Sequence, residues 1–191
     1  MDEGSTHRSY RGYLYIVSDA PNMMMSRELA VWFAEMDVWG QIEFIDARQR
    51  NEACQANAAI LHALATSHDH FVFCESDIRP HRRQMHKFWT AKADVVGANY
   101  PTENVRAWSD PNVIHAGLWR TSRHVLEAIA APWFAWEYDE GMTHCTKCLC
   151  RVFSEKAIAA GFSVAVAGQA DHRPKTDFCG RMPTRSGSTP G

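Results

Sequence analysis

The stretch FVFCESDIRP, residues 71–80, sets four mostly apolar residues directly before Glu75-Ser76-Asp77, with Pro80 three residues further on. The apolar half reads as a strand buried on both faces. In an extended or turning backbone, residues i and i+2 point to the same side, so the two carboxylates leave the strand end together. Two meanings are open. The triplet is a capped, solvated strand end, or it is a pair of acids able to hold a divalent cation such as Mg²⁺ or Mn²⁺. The neighbouring elements decide where that strand ends.

Upstream, YLYIV (13–17) is β-rich and runs into Ser18-Asp19-Ala20-Pro21-Asn22, a turn cluster. Residues 26–36 read as a helix capped by Ser26, with Leu29, Trp32, Phe33 and Met36 at helical spacing. IEFID (42–46) is a second strand, and 51–66 is rich in alanine and leucine with no glycine or proline, a strong helix. HFVFC (70–74) is the third strand. A helix over about 81–92 and a strand at 94–100 (DVVGANY) are expected after it. Strands alternating with helices indicate right-handed crossovers and a mainly parallel sheet, whose ligands bind at the carboxyl ends of the strands. Ser18-Asp19, Asp46 and Glu75-Ser76-Asp77 all fall at such ends.

The second half is less regular. VIHAGLWR (113–120) is expected as a strand, 121–130 as a helix capped by Thr121 or Ser122, and PWFAWEYDEG (132–141) as an aromatic and acidic loop. A helix over about 149–160 stops at Gly161, and FSVAVA (162–167) is the last strand, leading to GQADH (168–172). Residues 1–11 read as a flexible lead-in, 12–173 as the folded domain, and 174–191, rich in Pro, Gly, Ser, Thr and Arg, as a tail.

The 191 residues are 46% apolar, with a formal charge of −2 and a pI near 6.5. That supports a real core and disfavours global disorder. No overall basic excess points to nucleic acid. No apolar run approaches a membrane span, and the polar N-terminal stretch has no signal-peptide core. The expectation is a soluble cytoplasmic protein (of a host cell if phage-encoded), with its six cysteines as thiols or metal ligands.

The order QANAAILHAL…HFVFCESDI, ADVVGANYP, HAGLWRTSRHVLEAIAAPWF and FSEKAIAAGFSVAVAGQADH resembles the GT-A glycosyltransferases, particularly small ones related to family 2. The resemblance spans residues 13–172. It implies a GT-A-like, Rossmann-like α/β fold with a mainly parallel sheet flanked by helices, and transfer of a sugar from a UDP- or GDP-linked donor to a hydroxyl. By the same resemblance Asp77 holds Mn²⁺ or Mg²⁺ and the diphosphate. Glu75 stands where the family has the first acid of Asp-x-Asp, facing the ribose or the metal, and His172 is the distal metal ligand. Asn57 matches the family's asparagine at the head of a helix; Ser18, Asp19 and Asp46 line the nucleotide pocket. The acceptor approaches the side of Gly117, Trp119 and Trp133. Enzymes of this type occur in phages that glycosylate their own modified DNA, so DNA with hydroxymethylated bases is one acceptor class beside protein or glycan.

Two positions depart from the family. Ala56 stands where an arginine precedes the asparagine, with Arg48 or Arg50 as substitutes. Many inverting relatives carry Glu-Asp shortly before the last helix's phenylalanine, the Asp serving as base; counting back from Phe153 gives Leu149 and Cys150. The base then comes from elsewhere, Glu137, Asp139 or Glu140 being the nearest candidates, or the anomeric outcome is retention, or turnover is lost. A nucleotidyltransferase and a non-catalytic sugar-nucleotide-binding module on the same fold are the alternatives.

HCTKCLC (144–150) has Cys145-x2-Cys148 at zinc spacing, with Cys150, His144 or distant Cys179 to complete a structural Zn²⁺ site; the other reading is a helix face with partly buried thiols. RPHRRQMHK (79–87) places Arg79, Arg82, Arg83 and Lys87 after the acidic triplet, either on a solvated helix face or against nucleic-acid phosphates.

Overall fold

In the computed structural model, which describes residues 12–18, 25–46, 51–99 and 110–172, the central element is a seven-stranded sheet. Its first three strands are β1 (Tyr13–Ser18), β2 (Ile42–Ile45) and β3 (His70–Glu75). They are joined through α1 (Arg27–Met36) and α2 (Glu52–Ala65). β1 pairs in parallel with both β2 and β3. The expected first half is therefore present nearly residue for residue. Ser26 caps α1 by accepting from the Leu29 N–H at 3.1 Å, and Asn51 caps α2 by accepting from Cys54 at 2.8 Å.

The remaining elements depart from simple alternation. A short strand not expected from sequence, β4 (Ile78–Pro80), follows the acidic triplet, and the helix expected over about 81–92 is shorter, α3 (Met85–Thr90), after a turn. β5 (Val95–Asn99) follows, then β6 (Leu118–Ser122), later in sequence than expected, so Thr121 lies in the strand and α4 (Arg123–Ala128) is short. The loop expected at 132–141 contains half of a hairpin, β7 (Glu137–Tyr138) with β8 (Cys145–Lys147). α5 (Leu149–Ala159) ends before Gly161, which sits at φ +88°. β9 (Val164–His172) runs on through the expected GQADH segment.

The sheet order is β2-β1-β3-β6-β5-β9-β4. β6 is antiparallel to both β3 and β5, β9 is parallel to β5, and β4 is antiparallel to β9. Five of the seven strands thus share one direction, and β6 and β4 oppose it. Side chains alternate between two cores. Leu14, Ile16, Phe71, Phe73 and Trp119 face α2, α4 and α5; Tyr15, Val17, Val72, Cys74 and Val96 face α1 and α3. Burial on both faces is why β1 and β3 read as unbroken apolar runs.

Two glycines permit close approaches. A Cβ on Gly97 of β5 would lie 2.7 Å from Ile114 Cβ, and one on Gly168 of β9, at φ +79°, would lie 2.9 Å from Phe88 Cβ of α3. Among the described residues no helix is long and apolar enough to cross a membrane. The lead-in and tail expected at the termini lie outside the described residues.

Candidate active site at the carboxyl edge of the sheet

β1, β2 and β3 end side by side: Ser18 is paired with Ile45 and with Glu75. Because β6 runs the other way, its beginning reaches the same edge, and the Glu75 N–H donates to the Gly117 carbonyl at 2.8 Å. Glu75-Ser76-Asp77 turns here from β3 into β4. The Ser76 N–H donates to the Ser18 carbonyl at 3.2 Å, and the Ser26 N–H donates to the Ser76 carbonyl at 2.7 Å. The Ser26 hydroxyl donates to the Ile78 carbonyl while it caps α1. The turn is therefore tied to β1, β6 and the head of α1. Both Asp77 carboxylate oxygens are shut off from solvent, and Ser76 is buried.

β4 pairs with β9 so that Ile78 lies opposite His172. The register brings the backbone of His172 next to the residue that follows Asp77, although they are far apart in sequence. The His172 side chain lies outside the described residues, as do Asp19, Arg48, Arg50 and Cys179. Asp46 is exposed just past β2.

Several other expected site residues have structural engagements. The Ser18 hydroxyl donates to the Cys74 carbonyl at 3.4 Å and accepts from Gln55 Nε2 at 3.2 Å, linking β1, β3 and α2. Asn57 grips one backbone unit twice: its Nδ2 donates to the Phe134 carbonyl at 2.8 Å and its Oδ1 accepts from the Phe134 N–H at 3.0 Å. Trp119 is 1% exposed and stacks on Phe73 with centroids 4.3 Å apart. Trp133 is buried, its Nε1–H donating to the Leu126 carbonyl at 2.8 Å. Both tryptophans are core, packed behind Gly117 and the segment around Phe134.

Cys150 occupies the second residue of α5 and is buried. Burial pushes its thiol well up. Hydrogen bonding from the Ala116 backbone opposes this, and the charge of Glu75 adds to it. The Cys150 thiol is thus neutral and lies within reach of Ala116 and the charge of Glu75.

In the acidic loop, Asp139 and Glu137 are engaged locally. Asp139 accepts from the Thr143 N–H and Oγ1 at 2.7 Å each and from the His144 N–H at 3.2 Å. These bonds, Thr143 first, hold its carboxyl down to about 2. Glu137 pairs with Lys147 at 3.3 Å, which also reaches Glu155 at 2.8 Å. Glu140 is exposed.

Cys145 is exposed on β8, Cys148 half-buried at the head of α5, and Cys150 packed in the core. Among the described residues no group of three or more His, Cys, Asp or Glu side chains is placed to hold a metal ion, so nothing there supports the zinc expectation. The basic run is partly paired, with Arg83 and Lys87 exposed. Arg79 faces Glu28 at 3.7 Å, His81 faces Asp171 at 2.8 Å, and Arg82 pairs with Glu35. An open cavity of about 440 Å³ lies among them.

Sequence reasoning located the acidic turn but missed what supports it. The second role of Ser26, at Ile78, carries no local signal. Gln55, a polar residue on the buried face of α2, was a visible anomaly.

No protein-family model matches the chain, and no curated protein matches it. Solved structures do. A197 from STIV aligns over 83% of this chain and 82% of its own, with TM-score 0.56 and 16% identity. The catalytic domain of Drosophila β1,4-galactosyltransferase 7, complexed with xylobiose, aligns over 81% of this chain and 64% of its own (TM-score 0.52, 11% identity). A mutant of that enzyme with manganese, UDP-Gal and xylobiose aligns over 84% and 70% (TM-score 0.54, 11% identity). At these identities the likeness is one of fold, and the fold of this chain is GT-A-like.

Proposed function

We propose that this chain is a glycosyltransferase that moves a sugar from a nucleoside-diphosphate donor to a hydroxyl acceptor. The observation that carries the reading is the Glu75-Ser76-Asp77 turn. It is tied by backbone bonds to three neighbouring elements, at the edge where β1, β2 and β3 end and opposite the β9 backbone that bears His172. The donor chemistry of that set, carboxylate oxygens with an imidazole, fits Mn²⁺ or Mg²⁺ better than a thiophilic metal. Asp77 and His172 would hold the ion with Glu75 assisting; when bound, it offsets the charge of a departing nucleoside diphosphate. Ser18, Asp19 and Asp46 would border the nucleotide, and Asn57 would act indirectly, through Phe134.

For the acceptor base, Glu137, Asp139 and Glu140 are unequal. A group held near 2 has little tendency to take a proton at neutral pH. Glu137 is ion-paired to Lys147. Glu140 is the one of the three that is exposed without either engagement.

A second reading has its own observation. The buried Cys150 thiol at the family's base position favours a module that binds a sugar nucleotide without turning it over.

The test is titration of UDP- and GDP-sugars with Mn²⁺ against the native chain and Asp77→Asn, with released products identified. Metal-dependent binding that falls by about a hundredfold in Asp77→Asn is expected. Equal binding by both removes the proposed site. Release of a nucleoside diphosphate marks a glycosyltransferase, release of pyrophosphate a nucleotidyltransferase, and binding with no product the non-catalytic module.

A further inference from the structure

The outer face of the β7–β8 hairpin exposes three apolar side chains together in sequence: Trp136 at 37%, Tyr138 at 47% and Met142 at 72%. Trp136 immediately precedes β7 and Tyr138 ends it, so the two exposed rings lie two residues apart along the hairpin, about 7 Å at the strand rise of ~3.4 Å per residue. Glu137 between them pairs with Lys147. The hairpin is rigid for its size, because Asp139 ties its turn to Thr143 and His144. It is also near the catalytic edge. β8 runs directly into Cys148 and α5, and Cys150 is bonded by the Ala116 backbone beside Gly117.

We propose that this hairpin is the acceptor platform and that it takes a neutral carbohydrate, sugar rings lying against Trp136 and Tyr138. The inference rests on the glycosyltransferase reading and names its acceptor class. Two aromatic faces presented in a row suit the C–H faces of sugar rings, and preorganisation lowers the ordering cost of binding. Charge at the hairpin disfavours the nucleic-acid alternative. Residues 136–147 hold three carboxylates against one lysine, and a phosphate backbone requires the reverse. The basic run lies on another element, where Arg79 and Arg82 face Glu28 and Glu35 while Arg83 and Lys87 are exposed, so nucleic acid is one arm of the test. Area disfavours a protein partner: two rings and a methionine among charged groups fall well short of the roughly 1,000 Å² a specific interface needs.

The experiment uses the full chain and saturation-transfer NMR with lactose, cellobiose and maltose. Parallel titrations use a duplex and a single-stranded oligonucleotide carrying hydroxymethylated cytosine. At least one disaccharide is expected to bind. Trp136→Ala and Tyr138→Ala should each weaken it about tenfold, with Trp136→Phe keeping most of the affinity, and the oligonucleotides should show no binding that depends on Trp136. The proposal is overturned if no disaccharide binds, if both alanine variants bind like the native chain, or if an oligonucleotide binds and loses that binding in Trp136→Ala. UDP- and GDP-sugar binding with Mn²⁺, measured on the same samples, should be unchanged in the hairpin variants. Its absence from the native chain would strike the transferase reading alone, and its presence without disaccharide binding would strike the platform alone.

Discussion

Two sets of carboxylates lie on this chain, and they are held in opposite ways. Glu75 and Asp77 belong to a turn whose backbone is bonded to β1, β6 and the head of α1, with both Asp77 oxygens closed off from solvent. Glu137, Asp139 and Glu140 sit on a two-stranded hairpin, and Glu137 and Asp139 find their partners within the hairpin itself. The first arrangement fixes acids at a sheet edge using residues distant in sequence. The second fixes an acid using a turn six residues long, Asp139 to His144. A site that must hold a charged ligand in one geometry needs the first kind of support; a surface that meets a variable acceptor manages with the second.

The sharpest way to break this contrast is from beneath. Trp119 stacks on Phe73 of β3 and lies 5.0 Å from the Phe153 ring of α5, so it is the shared floor of both regions. Trp119→Ala is expected to cost about 3–5 kcal/mol, read by urea unfolding. A stable variant with specifically weakened acceptor binding would instead return Trp119 to the pocket.

Asn57 separates the two regions next. Its paired hydrogen bonds to Phe134 cross from α2 to the segment leading into the hairpin. Asn57→Ala should lose roughly 1–3 kcal/mol of stability and disturb disaccharide binding more than sugar-nucleotide binding. The reverse order would mean that the amide touches the donor, as the family pattern of an asparagine at a helix head implies.

Ser26 tests the acidic turn alone. Ser26→Ala removes the cap on Leu29 and the bond to Ile78 together. A loss of about 1–2 kcal/mol is expected, with metal-dependent nucleotide binding weakened and disaccharide binding unchanged. Equal effects on both ligands would show that the two regions do not act separately.

The contrast also explains what could be read from the residues. The first half was legible because its elements declare themselves locally: apolar runs for β1 and β3, helical spacing at Leu29, Trp32, Phe33 and Met36, a serine cap. The acidic turn was legible because its location follows from alternation of strand and helix. β4 was not, since three residues beside a proline carry no periodicity and become a strand only by pairing with β9. The hairpin was hidden for the same reason, with two- and three-residue strands whose register slips between Glu137 and Tyr138. Trp119 and Trp133 are put beside an acceptor by the family resemblance, and a core tryptophan and a pocket-lining one read alike in sequence; only packing shows which side of the wall it is on.

The smallest expected effect concerns Asp139, and it decides whether the hairpin carries chemistry or only shape. The hydrogen bonds from Thr143 and His144 favour its charged form, which lowers its carboxyl from an ordinary aspartate value of ~3.9 to about 2. A depressed folded-state value means that the stabilisation is complete above the unfolded value and disappears as pH falls through the folded one. The Thr143 and His144 amide resonances should therefore hold steady from neutral pH down to about 4, and shift together between there and about 2. Asp139→Asn should abolish that transition. If the hairpin is a platform, the same variant weakens acceptor binding through the loosened turn but leaves any transfer rate at saturating acceptor and neutral pH nearly unchanged, because a carboxylate this firmly bonded does not exchange protons there. An Asp139 that titrates near neutrality, together with a rate that collapses in Asp139→Asn, would make this residue the missing base.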